Sequence, residues 1–167
     1  PQELAARLSA AGEDAVARLA RAAVPRAARL MRARNPRARP LDAAQREALR
    51  GAFGDLVDRV QVCFAADFPD RTFHTQDAEA LTFGRTIYVR AAQRPGDSGQ
   101  LRLLAHELVH VRQFERLGSD LGAFSEEVAR QLVRAGWDEE ATLFEREANG
   151  FVLDLPAGGL VGALGSR

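Results

Sequence analysis

The chain has no lysine and only one cysteine, one methionine, one tryptophan and one tyrosine in 167 residues. Each shortage narrows what the protein can be. With Cys63 alone, no intrachain disulfide can form and a zinc cluster built on several thiolates is excluded. Cys63 stands in the apolar run VQVCF, which suits a buried and inert thiol. All 23 basic residues are arginine and 23 acids balance them, so a protein built mainly to bind nucleic acid is not expected. Missing lysine beside abundant alanine reads as the nucleotide bias of a GC-rich genome. No apolar run is long enough to span a membrane. A signal-peptide pattern is also absent, but the sequence opens on proline, not methionine, and that absence carries little weight.

What is present fits one globular domain with a real core: 46% hydrophobic and 28% charged residues. Residues 2–34 carry helical periodicity, with Leu19, Ala23, Ala27 and Leu30 on one stripe and Pro25 expected to kink or break the helix. Eight arginines and no acids lie between Ala15 and Leu41, which reads as a solvated face balanced by acids elsewhere. NPRARP at 35–40 must end the helix. A short helix is expected from Asp42 to Phe53, a strand over 56–65, a loop over 66–77 and a hairpin over 80–89 turning at Gly84 and Arg85. Asp97 and Gln100 form a capping-box pair ahead of a helix that stops near Gly118. Two further helices are expected, over 120–135 and 138–153. The expected division is an N-terminal helical arm at 1–35, a main domain at 36–155 and a glycine-rich tail at 156–167.

The chemistry concentrates in LLAHELVHVRQ, residues 103–113. His106 and His110 are four apart, so on a helix both imidazoles face one point and can hold a zinc ion. Glu107 sits beside the first histidine, placed to act as general base on a metal-bound water. Leu101, Leu104, Leu108 and Val111 form a separate stripe that gives the helix its core face. A catalytic zinc needs a third protein ligand. His74 lies in a loop; LFEREANGF, residues 143–151, fits better. There Glu145 can supply a carboxylate oxygen, and Asn149, one turn on, can hold the outer nitrogen of a zinc-bound histidine. Glu147 points about 200° away from Glu145 and, with Glu139 and Glu140, is assigned to an exposed face. Tyr88, the only tyrosine, is a candidate donor to the oxyanion, set against an ordinary packed strand tyrosine. If Thr86–Val89 were the sheet edge beside the cleft, an extended peptide could pair with it.

His106-Glu107-x-x-His110 followed by Glu145-x-x-x-Asn149 resembles the gluzincin pattern of zinc metallopeptidases. More specifically, RPLDAAQREALRGAFGDLVDRVQV, ALTFGRTIYV and LLAHELVHVRQ are similar to the eCIS core domain, over about residues 38–114. That resemblance implies a metallopeptidase domain of proteins linked to extracellular contractile injection systems and other bacterial toxin-delivery proteins. Two departures stand out: VQVCF lacks the histidine usual after the first strand, and Asn149 replaces a more frequent aspartate. The expectation is therefore an α+β, mostly helical metallopeptidase-like fold with a small antiparallel sheet of about three strands and zinc between two helices. Its function would be Zn2+-dependent endopeptidase cleavage of a peptide or protein, including self-processing within a larger effector. The alternative is a catalytically idle zinc-binding module that docks or targets such an effector to a contractile injection system. Either would act in the bacterial cytoplasm or after export or injection.

Overall fold

The computed structural model describes residues 2–69 and 77–155, with side chains from residue 11 onward. His74 and the glycine-rich tail lie outside the described residues. The described residues form six helices and a four-stranded sheet. In chain order these are α1 (Gln2–Arg34), β1 (Arg39–Pro40), α2 (Ala43–Phe53), α3 (Leu56–Arg59), β2 (Gln61–Phe64), β3 (Ala80–Phe83) and β4 (Thr86–Val89). Then come α4 (Ser98–Arg116), α5 (Leu121–Arg134) and α6 (Leu143–Asp154).

Sheet order is β1-β2-β4-β3. β3 and β4 pair antiparallel as the expected hairpin, but β2 runs parallel to β4, so the sheet is mixed where an antiparallel one was expected. The strand expected over 56–65 begins only at Gln61, because Leu56 and Val57 are buried from a short helical turn. Helix α6 likewise starts at Leu143, not 138, where Thr142 caps it. β4 is internal, so the condition that Thr86–Val89 be the edge is not met; the edge strand on this side is β3.

Side-chain alternation sorts the sheet into two faces. Val62, Ile87 and Val89 face the main core with Leu104, Leu108 and Val109 of α4. On the other face Cys63 and Tyr88 meet Met31 of α1, Ala66 and Phe68. Cys63 is thus buried, and its surroundings push its thiol pKa up by desolvation.

Helix α1 continues unbroken past Pro25, where a kink or a break was expected. A proline at this position leaves the carbonyl four residues earlier, that of Arg21, without its helical donor. Packing of α1 along α5 offsets that cost. Gly122, Ser125 and Ala129 form a small-residue face on α5, and a Cβ at Gly122 would lie 3.2 Å from Arg21 Cγ and 3.4 Å from the Arg21 carbonyl oxygen. Arginines tie the pair together: Arg130 reaches Asp14 at 2.5 Å and Glu126 at 3.1 Å, Arg134 reaches Glu13 at 2.6 Å and Arg21 reaches Glu126 at 3.0 Å. Such solvated pairs contribute little each, so burial must dominate. At the end of α1, the Asn35 amide donates to the carbonyl of Asp67 at 3.0 Å and accepts from its N–H at 2.7 Å.

Docking of α1 on the back of the sheet predicts unequal costs along it. Met31→Ala, at a position with 0% exposure, should destabilise by about 2–5 kcal/mol. Leu19→Ala, at 68% exposure, should cost about 0.5 kcal/mol or less. Urea unfolding checks both; equal small losses would show that α1 is not anchored there.

Candidate metal centre

Helix α4 starts at Asp97, whose carboxylate accepts the backbone N–H of Gln100 at 2.7 Å. The Gln100 side chain does not complete the reciprocal capping box; it bonds the Ala92 carbonyl and the Arg94 N–H instead, fixing the approach from β4. Leu101, Leu104, Leu108 and Val111 are all buried. With that stripe held, His106 and His110 face a cleft of about 550 Å3 bounded by β3, α4, α5 and α6.

The third group arrives on α6. Glu145 occupies the first turn, its N–H bonded to the Thr142 cap at 3.2 Å, where the helix dipole favours a carboxylate. Gln131 of α5 accepts the Phe144 N–H at 3.0 Å, and Phe144 stacks on Phe124 with ring centroids 5.5 Å apart. These contacts pin the start of α6 to α5. As a result His106 Nε2 lies 3.1 Å from His110 Nε2 and 3.2 Å from Glu145 Oε2, while Glu145 Oε1 lies 3.1 Å from His110 Nε2. Ligands of a tetrahedral site with bonds of about 2.0–2.1 Å are separated by roughly 3.3 Å. The two imidazoles and the carboxylate therefore have the spacing and donor chemistry to hold a divalent transition metal.

Glu107 belongs to the same cleft but not to that triangle. It is 6% exposed, and Thr82 Oγ1 on the edge strand donates to its Oε2 at 2.6 Å. Glu139 is exposed, as assigned from sequence, and also lines the cleft, where partial desolvation and the charge of Glu145 raise its pKa. Arg102 lines it too, but its guanidinium is turned onto the Val152 carbonyl at 2.6 Å.

Two candidate residues lie outside the site, and for Tyr88 the alternative of a packed strand tyrosine holds. Tyr88 is buried on the back face of the sheet beside Met31, because it alternates with Ile87 and Val89, and burial raises its pKa; it cannot reach the cleft as an oxyanion donor. Asn149 is exposed and bonds neither histidine. The Nδ1 of His110 is instead 2.9 Å from Gln113 Oε1, within its own helix. Glu147, placed on an exposed face from sequence, is paired with Arg116 at 2.9 Å and with Gln113 Nε2 at 3.0 Å. Thr82 and Gln113 were missed from sequence. For Gln113 a signal existed: it lies three residues past His110, within side-chain reach on a helix.

Residues 40–118 match the family model of the eCIS core domain. The match spans β1 to the end of α4 and so contains His106, Glu107 and His110, while Glu145 lies beyond it. No curated protein and no solved structure matches the chain significantly. No helix among the described residues is long and apolar enough to cross a membrane.

Burial alone would lower the pKa of His110, but its hydrogen bond to Glu145 and the charges of Glu107 and Glu145 raise it from 6.5 to about 9. Burial would raise Glu145, but hydrogen bonds with His106 and His110 and their charges bring it from 4.5 to about 2. In metal-free protein the His110 contribution is full below pH 6.5 and lost as pH rises through about 9. The Glu145 contribution is full above pH 4.5 and lost as pH falls through about 2. Melting curves of metal-free wild type and Glu145→Gln should therefore differ most between pH 4.5 and 6.5. Metal uptake at neutral pH should release about one proton, measurable by calorimetry in buffers of different ionisation enthalpy; no release would mean His110 is not a ligand.

Proposed function

We propose, taking residues 40–118 as an eCIS core domain, that the cleft is the active site of a zinc-dependent endopeptidase. The observation that carries this reading is the convergence of His106, His110 and Glu145, with a further carboxylate, Glu107, held beside them by its own hydrogen bond. Two imidazoles and one carboxylate suit zinc better than magnesium or calcium, which prefer oxygen donors alone. Zinc in such a set supplies a Lewis acid that polarises a peptide carbonyl and acidifies water.

The residues of the chain do the rest. Glu107 takes the proton from the attacking water and returns it to the leaving amine. Thr82 occupies one of its oxygens and leaves the other free to accept, so the carboxylate is oriented before substrate arrives. The free side of β3 offers backbone N–H and C=O groups to an extended peptide, which would add as a strand. That choice follows from β3, not β4, being the edge and lining the cleft. Leu103, Phe124, Val128 and Leu132 give the opposite wall an apolar surface for peptide side chains. A linker of the chain's own parent polypeptide, or a protein of a contractile injection system, is the class of substrate this domain context favours.

Elemental analysis of purified, dialysed protein should find about one zinc per chain, and Glu145→Ala should lose it. Glu107→Gln should keep the zinc and the fold while peptide cleavage falls by about 10²–10⁴-fold. Thr82→Val should keep zinc and lower kcat by about tenfold, as expected for losing a hydrogen bond to a charged group. Zinc-loaded protein that is folded and insensitive to Glu107→Gln would overturn the enzyme reading in favour of a docking module.

A further inference from the structure

We propose that Gln113 is a positioning residue that fixes the ring of His110 and ties it to the helix carrying Glu145; this rests on the reading of His106, His110 and Glu145 as metal ligands. Gln113 is fully buried, at 0% exposure, in the middle of a charged and polar chain of contacts. Its Nε2 lies 3.0 Å from the Phe144 carbonyl and 3.0 Å from Glu147 Oε2. Neither a carbonyl nor a carboxylate can donate, so the amide nitrogen must point toward them. Its Oε1 is then the atom 2.9 Å from His110 Nδ1. An amide oxygen only accepts, so Nδ1 must carry a proton. Nε2 is left as the nitrogen whose lone pair is available to a metal, and it is the one aimed at Glu145 and His106.

The outer end of the chain is anchored as well. Glu147 is held by both arms of Arg116, at 3.1 and 2.9 Å. The order Arg116, Glu147, Gln113, His110 therefore runs from the surface to a ligand nitrogen. A second hydrogen of the same amide reaches Phe144, the residue just before Glu145. One side chain thus sets His110 on α4 and the start of α6 together. His106 has no such partner at Nδ1 among the described residues.

The experiment compares wild type, Gln113→Leu and Glu147→Gln by zinc competition against a chromophoric chelator and by proton NMR of the histidine rings. Gln113→Leu should weaken zinc binding by about 10–100-fold. Glu147→Gln keeps an oxygen for the Gln113 amide and lies near the surface, so it should fold normally and weaken zinc by a smaller factor. The His110 Nδ1 proton should be slowly exchanging in wild type with or without zinc and should disappear in Gln113→Leu. A purely structural role would lower the melting temperature while leaving that proton in Gln113→Leu and the zinc affinity of both variants unchanged, and would overturn the proposal. Wild type that takes up no zinc would sink the metal reading itself, while a wild-type Nδ1 proton that exchanges rapidly would sink the Gln113 assignment.

Discussion

The rotational setting of α4 against the sheet governs everything else in this molecule. Leu104, Leu108 and Val109 are pressed into Val62, Ile87 and Val89, all at or near zero exposure. A helix locked on that face has no freedom to turn. Three consequences follow from 100° per residue: His106 and His110 share one direction, Glu107 takes another toward β3, and Gln113 is carried inward toward α6. The geometry of the cleft is therefore a by-product of core packing, and its precision is that of the core.

Glu145 depends on the same packing at one remove. Its helix is seated by Phe151 against Phe53, with ring centroids 5.0 Å apart, by Phe144 against Phe124, and by the Gln113 and Gln131 amides. Arg112 lies over both Phe53 and Phe151, at 5.6 and 5.1 Å from the centroids. Without a metal His110 and Glu145 hold each other as an ion pair, as the raised pKa of the one and the lowered pKa of the other show. A dication would take the place of the His110 proton in that arrangement, and the seating of α6 keeps the groups together.

Much of this could be read from the chain, and the misses have identifiable physics. The cap at Asp97, the apolar stripe and the paired histidines are all encoded within a single helix, so local periodicity sufficed. The hairpin at Gly84 was equally local. Strand order was not: that β2 pairs parallel with β4 depends on a crossover no short window contains. Whether Thr86–Val89 was an edge could not be read for the same reason. Tyr88 was legible, since Ile87 and Val89 are apolar neighbours on one face and alternation sends Tyr88 to the other. Asn149 failed because its side chain is exposed on α6, while Gln113 already meets the outer nitrogen of His110. Pro25 does not end α1, because the rule for proline is a local cost and the long interface with α5 outweighs it.

Trp137 adds one last consequence. It stands 65% exposed in a left-handed conformation (φ 69°) on the loop that joins α5 to α6, two residues from Glu139 in the cleft. As the only tryptophan in the sequence, it is the only indole that can emit. Intrinsic fluorescence of this protein is consequently a local signal, reporting the loop between α5 and α6 and almost nothing of the hydrophobic interior. Unfolding followed by that light alone would record the loop, and ligand entry could be watched there without any added dye.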